Sequence, residues 1–254
     1  MLNELLSGNV FALLLVFARV GSAFVLLPGF GESFVPARVR LVVAAAVTVV
    51  VTPAVAAALP PLPASLPGLA VLVGGEAVVG LFIGMLARMV MTAMHVAGTL
   101  IGLQASLGNA ALFDPASAQQ STVVAAFLHL LGVFLIFASQ LDHLMILAIA
   151  DSYSLFAPGG ALASGDFSDA ALRTISQSFV VALQISAPVV LLGILFQVGL
   201  GLLARLMPQA QLMFVAVPAQ IALSFLVMAL TVSAGGLVFL AAYEQTFNGL
   251  LGLR

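Results

Sequence analysis

The sequence predicts an all-α, polytopic membrane protein, and three observations carry that prediction. Of 254 residues, 63% are hydrophobic and only 6% charged, with a mean hydropathy of +1.27, far from the composition of soluble domains. The apolar residues fall into six long runs, as bilayer-crossing helices require. Proline- and glycine-rich breaks separate those runs at points where a helix cannot continue.

Taken in order, the first run is Leu5 to Leu27. Glu4 replaces a basic leader and the apolar stretch is too long for a signal-peptide core, so this run is expected to be a retained first helix. Pro28, Gly29 and Gly31 end it, and a second run follows from Leu41 to Leu59. Pro60, Pro61 and Pro63 then break the chain before a run from Leu69 to Leu107. As one helix that third run would measure roughly 58 Å, against a hydrocarbon core of about 30 Å, so it is no ordinary single span. A fourth run covers Ser121 to Leu141. Asp142 to Gln177, with Asp151, Asp166, Asp169, Arg173, Pro158, Gly159 and Gly160, is expected to be a solvated connection and domain boundary. Beyond it, Phe179 to Leu203 and Phe214 to Tyr243 form a helical hairpin with a turn around Arg205 and Pro208. With the Arg38/Arg40 connection taken as cytoplasmic, alternation places the Arg205 turn on the same side and both termini outside.

The residue types that are missing exclude whole classes of chemistry. There is no cysteine and every Lys/Arg residue is arginine, so thiolate nucleophiles, cysteine metal sites, a P-loop lysine and Schiff-base chemistry are all absent. No catalytic motif is found, and the chain is expected not to be an enzyme. His95, His129 and His143 are too dispersed for a metal site, no cofactor is implied, and isolated arginines at a net charge of -2 leave no footprint for nucleic acid.

Polar residues inside apolar runs are the informative positions. Arg19 lies in the middle of the first run, where a charge needs a partner. The expected role is structural, pairing with a carboxylate or with helix-end carbonyls; a place in a conduit is the alternative. In the third run, Gly80, Gly84, Arg88, Met91, His95, Gly98 and Gly102 recur at spacings of four and three and share one seam, with Glu76 one turn before it. Such a seam is a protein contact, either inside the chain or against another subunit. Met85, Met89, Met91 and Met94 are read as ordinary packing, and His143 beside Asp142 as an interfacial polar pair. The stretch Asn109 to Gln120 contains Asp114-Pro115, a turn former, and presents Phe113 among small residues.

Several of these residues, in order, resemble the FliR family, the flagellar biosynthesis proteins of the type III export apparatus. The resemblance rests on Arg19, Pro28-Gly29-Phe30, Pro36, Arg38 and Arg40, then Glu76, Gly80, Gly84, Gly98 and Gly102. It continues through Asp114-Pro115-Ala116-Ser117, His143, Pro158, Arg205-Leu206-Met207-Pro208-Gln209 and Pro218. It covers nearly the whole chain, departing at Gln211 and Ala216, where the family often has asparagine and glycine. The resemblance implies a FliP-like helical part over residues 1–177 and a FliQ-like hairpin over 178–254. It also implies a non-enzymatic subunit of the export gate, assembled with FliP-like, FliQ-like and FlhB-like subunits in the bacterial inner membrane and passing unfolded flagellar proteins. The loop 107–120 then contributes to a plug through Leu112, Phe113, Asp114, Pro115, Ala116 and Ser117, with Phe113 as stopper and Asp114-Pro115 as the turn that presents it. Arg19, Glu76, Arg88 and His95, with the seam glycines, hold helix and subunit contacts, and Arg205, Pro208, Gln209 and Pro218 form the hairpin turn. The homologous subunit of a virulence secretion system is the alternative within the family, and a stand-alone secondary transporter the alternative outside it. Expressed without partners, the chain is expected to be unstable or aggregated.

Overall fold

The computed structural model describes residues 8–106, 123–160, 164–206 and 212–250. Among them there are seven helices and no strand. Helix α1 spans Gly8–Leu26, α2 Ala37–Val55 with a 3-10 turn at Ala56–Ala58, and α3 Leu66–Gln104. Helices α4, Val123–Ala138, and α5, Leu141–Leu155, precede the long pair α6, Ser164–Leu206, and α7, Leu212–Leu250. Four stretches are long and apolar enough to cross a membrane: Ala37–Ala58, Leu66–Gln104, Phe167–Leu206 and Val215–Gly249. The pair α4 and α5 makes a fifth if it counts as one broken span.

The third run is a single uninterrupted helix of 39 residues, and α6 is longer still at 43. At about 1.5 Å per residue both are roughly twice as long as the hydrocarbon core is thick. Pro188 and Pro218 lie inside α6 and α7, each removing one backbone donor from its helix.

The stretch Asp142 to Gln177 departs from the expected solvated connection. It is largely helical, contributing α5 and the first turns of α6. Leu141, Met145, Ala148, Ile149 and Ser152 are buried at spacings of three and four, so α5 has one apolar face beneath its charged one. The aspartates on the outer face masked that pattern. Among the described residues of this stretch the chain is non-helical at 156–160, where Gly159 adopts φ +75°.

The chain forms two compact units. The first comprises Met1–Val90, Ile136–Ile175 and Tyr243–Arg254. Val16, Val20, Ala23 and Phe24 of its α1 are completely buried, as is Leu27 just beyond it, while Val10, Leu14 and Val25 on other faces stay exposed. The proline run docks here, with Leu59 and Leu62 packed on Phe11, Leu15 and Leu72. The turn after α1 is fixed by rings: Phe30 lies 4.7 Å from Phe24 and 5.5 Å from Phe137. Arg40 then binds that turn, its Nε donating to the Phe30 carbonyl at 2.9 Å and its Nη2 to the Glu32 carbonyl at 3.2 Å.

The second unit comprises Met91–Leu135 and Ser176–Ala242. Here α3 meets α4 at Gly98, where an added Cβ would overlap the backbone of Ala125. Met91 and Met94 are buried and pack over Gly132, while Met85 and Met89 of the same cluster are half-buried. On α6, Gly193 is overlain by the side chain of Gln104, and Gly235 of α7 faces Ile185.

Candidate functional site

Arg19 is the largest fully buried side chain among the described residues. Its position on the inner face of α1, beside Leu15, Val16 and Ala23, buries the side chain completely. Inside the first unit, α3 and α5 supply what it needs. Nε donates to Glu76 Oε2 at 2.7 Å and Nη2 to Glu76 Oε1 at 2.9 Å, the bidentate fork that suits guanidinium and carboxylate. Nη1 donates to Ser152 Oγ at 2.9 Å, and Nη2 also reaches the Phe156 carbonyl at 2.8 Å. The Tyr153 ring lies against the guanidinium plane, with Cζ 3.8 Å from its centroid, a cation–π arrangement.

Both kinds of partner anticipated for Arg19 are therefore present, a carboxylate and a helix-end carbonyl. Phe156 follows the last residue of α5, so the arginine satisfies an orphan carbonyl where a positive charge also favours the helix dipole. With Glu76 2% and Ser152 1% exposed, the node ties α1, α3 and α5 together through one side chain. A charge of either sign left alone there would cost several kcal/mol, which is why the partners come as a set. Sequence reasoning named Arg19 and Glu76 but missed Ser152, Tyr153 and Phe156, whose only signal was the apolar spacing of α5.

Glycines on the seam make the approach possible. A Cβ at Gly80 would overlap the Arg19 carbonyl oxygen and Ser22 Oγ, and one at Gly84 would stand 2.7 Å from the Ala23 carbonyl oxygen. Gly98 and Gly102 are buried in the second unit. The remaining seam residues follow the helical wheel. At about 100° per residue, Gly80 and Gly98 define the centre, Gly84 and Gly102 lie about 40° away, His95 about 60° and Arg88 about 80°. Burial falls in that order: the glycines are buried, His95 is half-buried and Arg88 is exposed.

A groove of about 820 Å³ opens beside the ion pair, bordered by Pro60, Pro61, Pro63, Gly68, Gly75 and Gly159. His143 Nδ1 lies 3.2 Å from Asp142 Oδ1 at the exposed start of α5, the polar pair expected there. Among the described residues no group of His, Cys, Asp and Glu is placed to hold a metal ion. Arg205 is exposed in the last turn of α6, whereas Pro218, expected at the hairpin turn, lies inside α7. Leu112, Phe113, Asp114, Pro115, Ala116, Ser117, Pro208 and Gln209 fall outside the described residues.

Long apolar helices joined through a buried arginine–carboxylate node define an all-helical, membrane-embedded protein. The chain belongs to the bacterial export proteins, family 1, whose sequence model matches residues 10–246. It is similar to the flagellar biosynthetic protein FliR of Caulobacter vibrioides, 37% identical over 240 residues, 94% of this chain and 96% of that protein. FliR of Bacillus subtilis is 29% identical, with 95% and 94% of the two chains covered. FliR of Escherichia coli is 28% identical over 85% of this chain and 81% of its own length.

Proposed function

We propose that this chain is a non-enzymatic subunit of the flagellar type III protein-export gate, helping to form and close the channel through which unfolded flagellar proteins leave the cytoplasm. One observation carries the reading: the chain aligns nearly end to end with flagellar FliR proteins from distant bacteria. The long apolar helices support it, since helices twice as long as the bilayer core is thick need protein neighbours beyond the lipid. In this reading the partners are FliP-like, FliQ-like and FlhB-like subunits in the bacterial inner membrane. Residues 1–177 correspond to a FliP-like part and 178–254 to a FliQ-like hairpin.

Within that assembly, residues Leu112 to Ser117 close the channel, with Phe113 as the apolar stopper. Arg19 and Glu76 hold register within the chain, and Arg88 contributes to contact with a neighbouring subunit. Purification from native membranes in mild detergent, followed by native mass measurement, tests the reading. One large assembly containing FliP-like and FliQ-like subunits is expected. A monomer or small homo-oligomer that binds a solute overturns it in favour of a transporter.

A further inference from the structure

Helix α3 ends at Gln104, and its terminal carbonyls are satisfied in an unusual way. The Ala105 amide donates to the Ile101 carbonyl at 2.8 Å and the Ser106 amide to the Leu103 carbonyl at 3.1 Å. The Gln104 carbonyl accepts instead from Gln220 Nε2 of α7 at 2.6 Å. Gln220 Oε1 in turn accepts from Ser106 Oγ at 3.0 Å. Where a helix ends on a left-handed residue, that residue is most often glycine. Here Ser106 adopts it, at φ 59°, although a residue with a Cβ is strained there.

Three further features surround this node within the second unit. Gln220 is only 5% exposed, so its amide is committed to these contacts. Pro218, two residues earlier, removes a backbone donor from α7, a common site of helix bending. Gln104 Nε2 and Ser224 Oγ, the latter one turn beyond Gln220, are buried without a hydrogen-bond partner among the described residues. A node that holds a strained serine, and leaves two buried polar groups unmatched among the described residues, is short of its hydrogen-bond optimum there.

We propose that Gln220 is a latch that caps α3 from α7, and that Ser106 is the two-state residue it controls. With the latch engaged, Ser106 is held left-handed and α3 stops at Gln104. With the latch released by movement of α7 about Pro218, Ser106 leaves the left-handed region and the last turn of α3 frays. The position of α7 is thereby coupled to the end of α3 through one amide.

Hydrogen exchange of the Ala105 and Ser106 amides in the purified complex tests this. Gln220→Leu keeps the volume, removes both bonds, and is expected to speed exchange about tenfold. Adding Ser106→Gly, which holds the left-handed stop without a latch, is expected to restore slow exchange. Unchanged exchange in Gln220→Leu overturns the latch. Faster exchange that Ser106→Gly fails to restore also overturns it, leaving Gln220 a packing residue. If the Gln220→Leu complex does not assemble, Ser106→Ala, which removes one bond, must speed exchange severalfold; no change there overturns the proposal.

Discussion

Gly80 of α3 sits against the carbonyl oxygen of Arg19, at the point where a Cβ would have to stand. The contact sets the distance between α1 and α3, and with it the reach of the Arg19 fork to Glu76. Gly80→Ala is expected to destabilise the protein by about 1–3 kcal/mol through overpacking against backbone that cannot move aside. Thermal unfolding of the purified complex measures the loss, and a stability equal to wild type counts against a fixed α1–α3 separation.

Removing one member of the ion pair is expected to be worse than removing both. Glu76→Ala or Arg19→Ala each leaves a buried charge or its hydrogen-bonding groups alone, at a cost of about 3–5 kcal/mol. Arg19→Met with Glu76→Leu replaces both by apolar groups of similar bulk and is expected to recover most of that stability. Additive losses in the double variant show that the two residues do not act as a pair.

Tyr153 separates stacking from hydrogen bonding. Its hydroxyl has no partner among the described residues, so Tyr153→Phe keeps the ring over Arg19 and is expected to change stability by less than about 0.5 kcal/mol. Tyr153→Leu removes the ring and is expected to cost about 1–2 kcal/mol. Equal effects of the two changes, read by the same unfolding measurement, remove the cation–π account.

Gly29 has φ +82° and faces the Phe137 ring so closely that a Cβ would overlap it. Gly29→Ala meets both a strained backbone and a steric overlap, and is expected to lower stability by about 2–4 kcal/mol. Limited proteolysis of the turn between α1 and α2 reads the outcome as faster cleavage.

For the channel reading, deletion of Ala110 to Ser117 is expected to raise ion leakage through the assembled gate without preventing assembly. Unchanged leakage removes the plug role from this segment. Arg88→Ala is expected to reduce recovery of partner subunits, and recovery equal to wild type removes Arg88 from the subunit contact.

The helical class and the runs that became α1 to α3 were legible because proline and glycine breaks bound long apolar stretches. Arg19 and Glu76 were legible because charges in such stretches demand partners. What the sequence hid was α5, where aspartates on the outer face diluted an apolar face that supplies Ser152, Tyr153 and the Phe156 carbonyl. The Gln220 cap was hidden for a different reason. Its contacts lie 114 and 116 residues away along the chain, a separation that local periodicity cannot report. Of the seam residues, the glycines are buried and His95 half-buried, whereas Arg88 shares the spacing of the glycines while lying outside their arc.

The partners of Arg19 are also spread in time. Glu76 follows it by 57 residues, but Ser152 and Phe156 follow by 133 and 137. At about 5–20 residues per second, the ribosome delivers the carboxylate about 3–11 seconds after the arginine and the α5 groups about 7–27 seconds after it. The first helix must therefore wait in or near the bilayer with an unmatched cation, at a penalty of about 2.5–3.5 kcal/mol on insertion scales. Biogenesis is thus ordered by electrostatics: the α1–α3 pair settles first, and the nascent chain completes its hydrogen bonding only after more than half of it has been made.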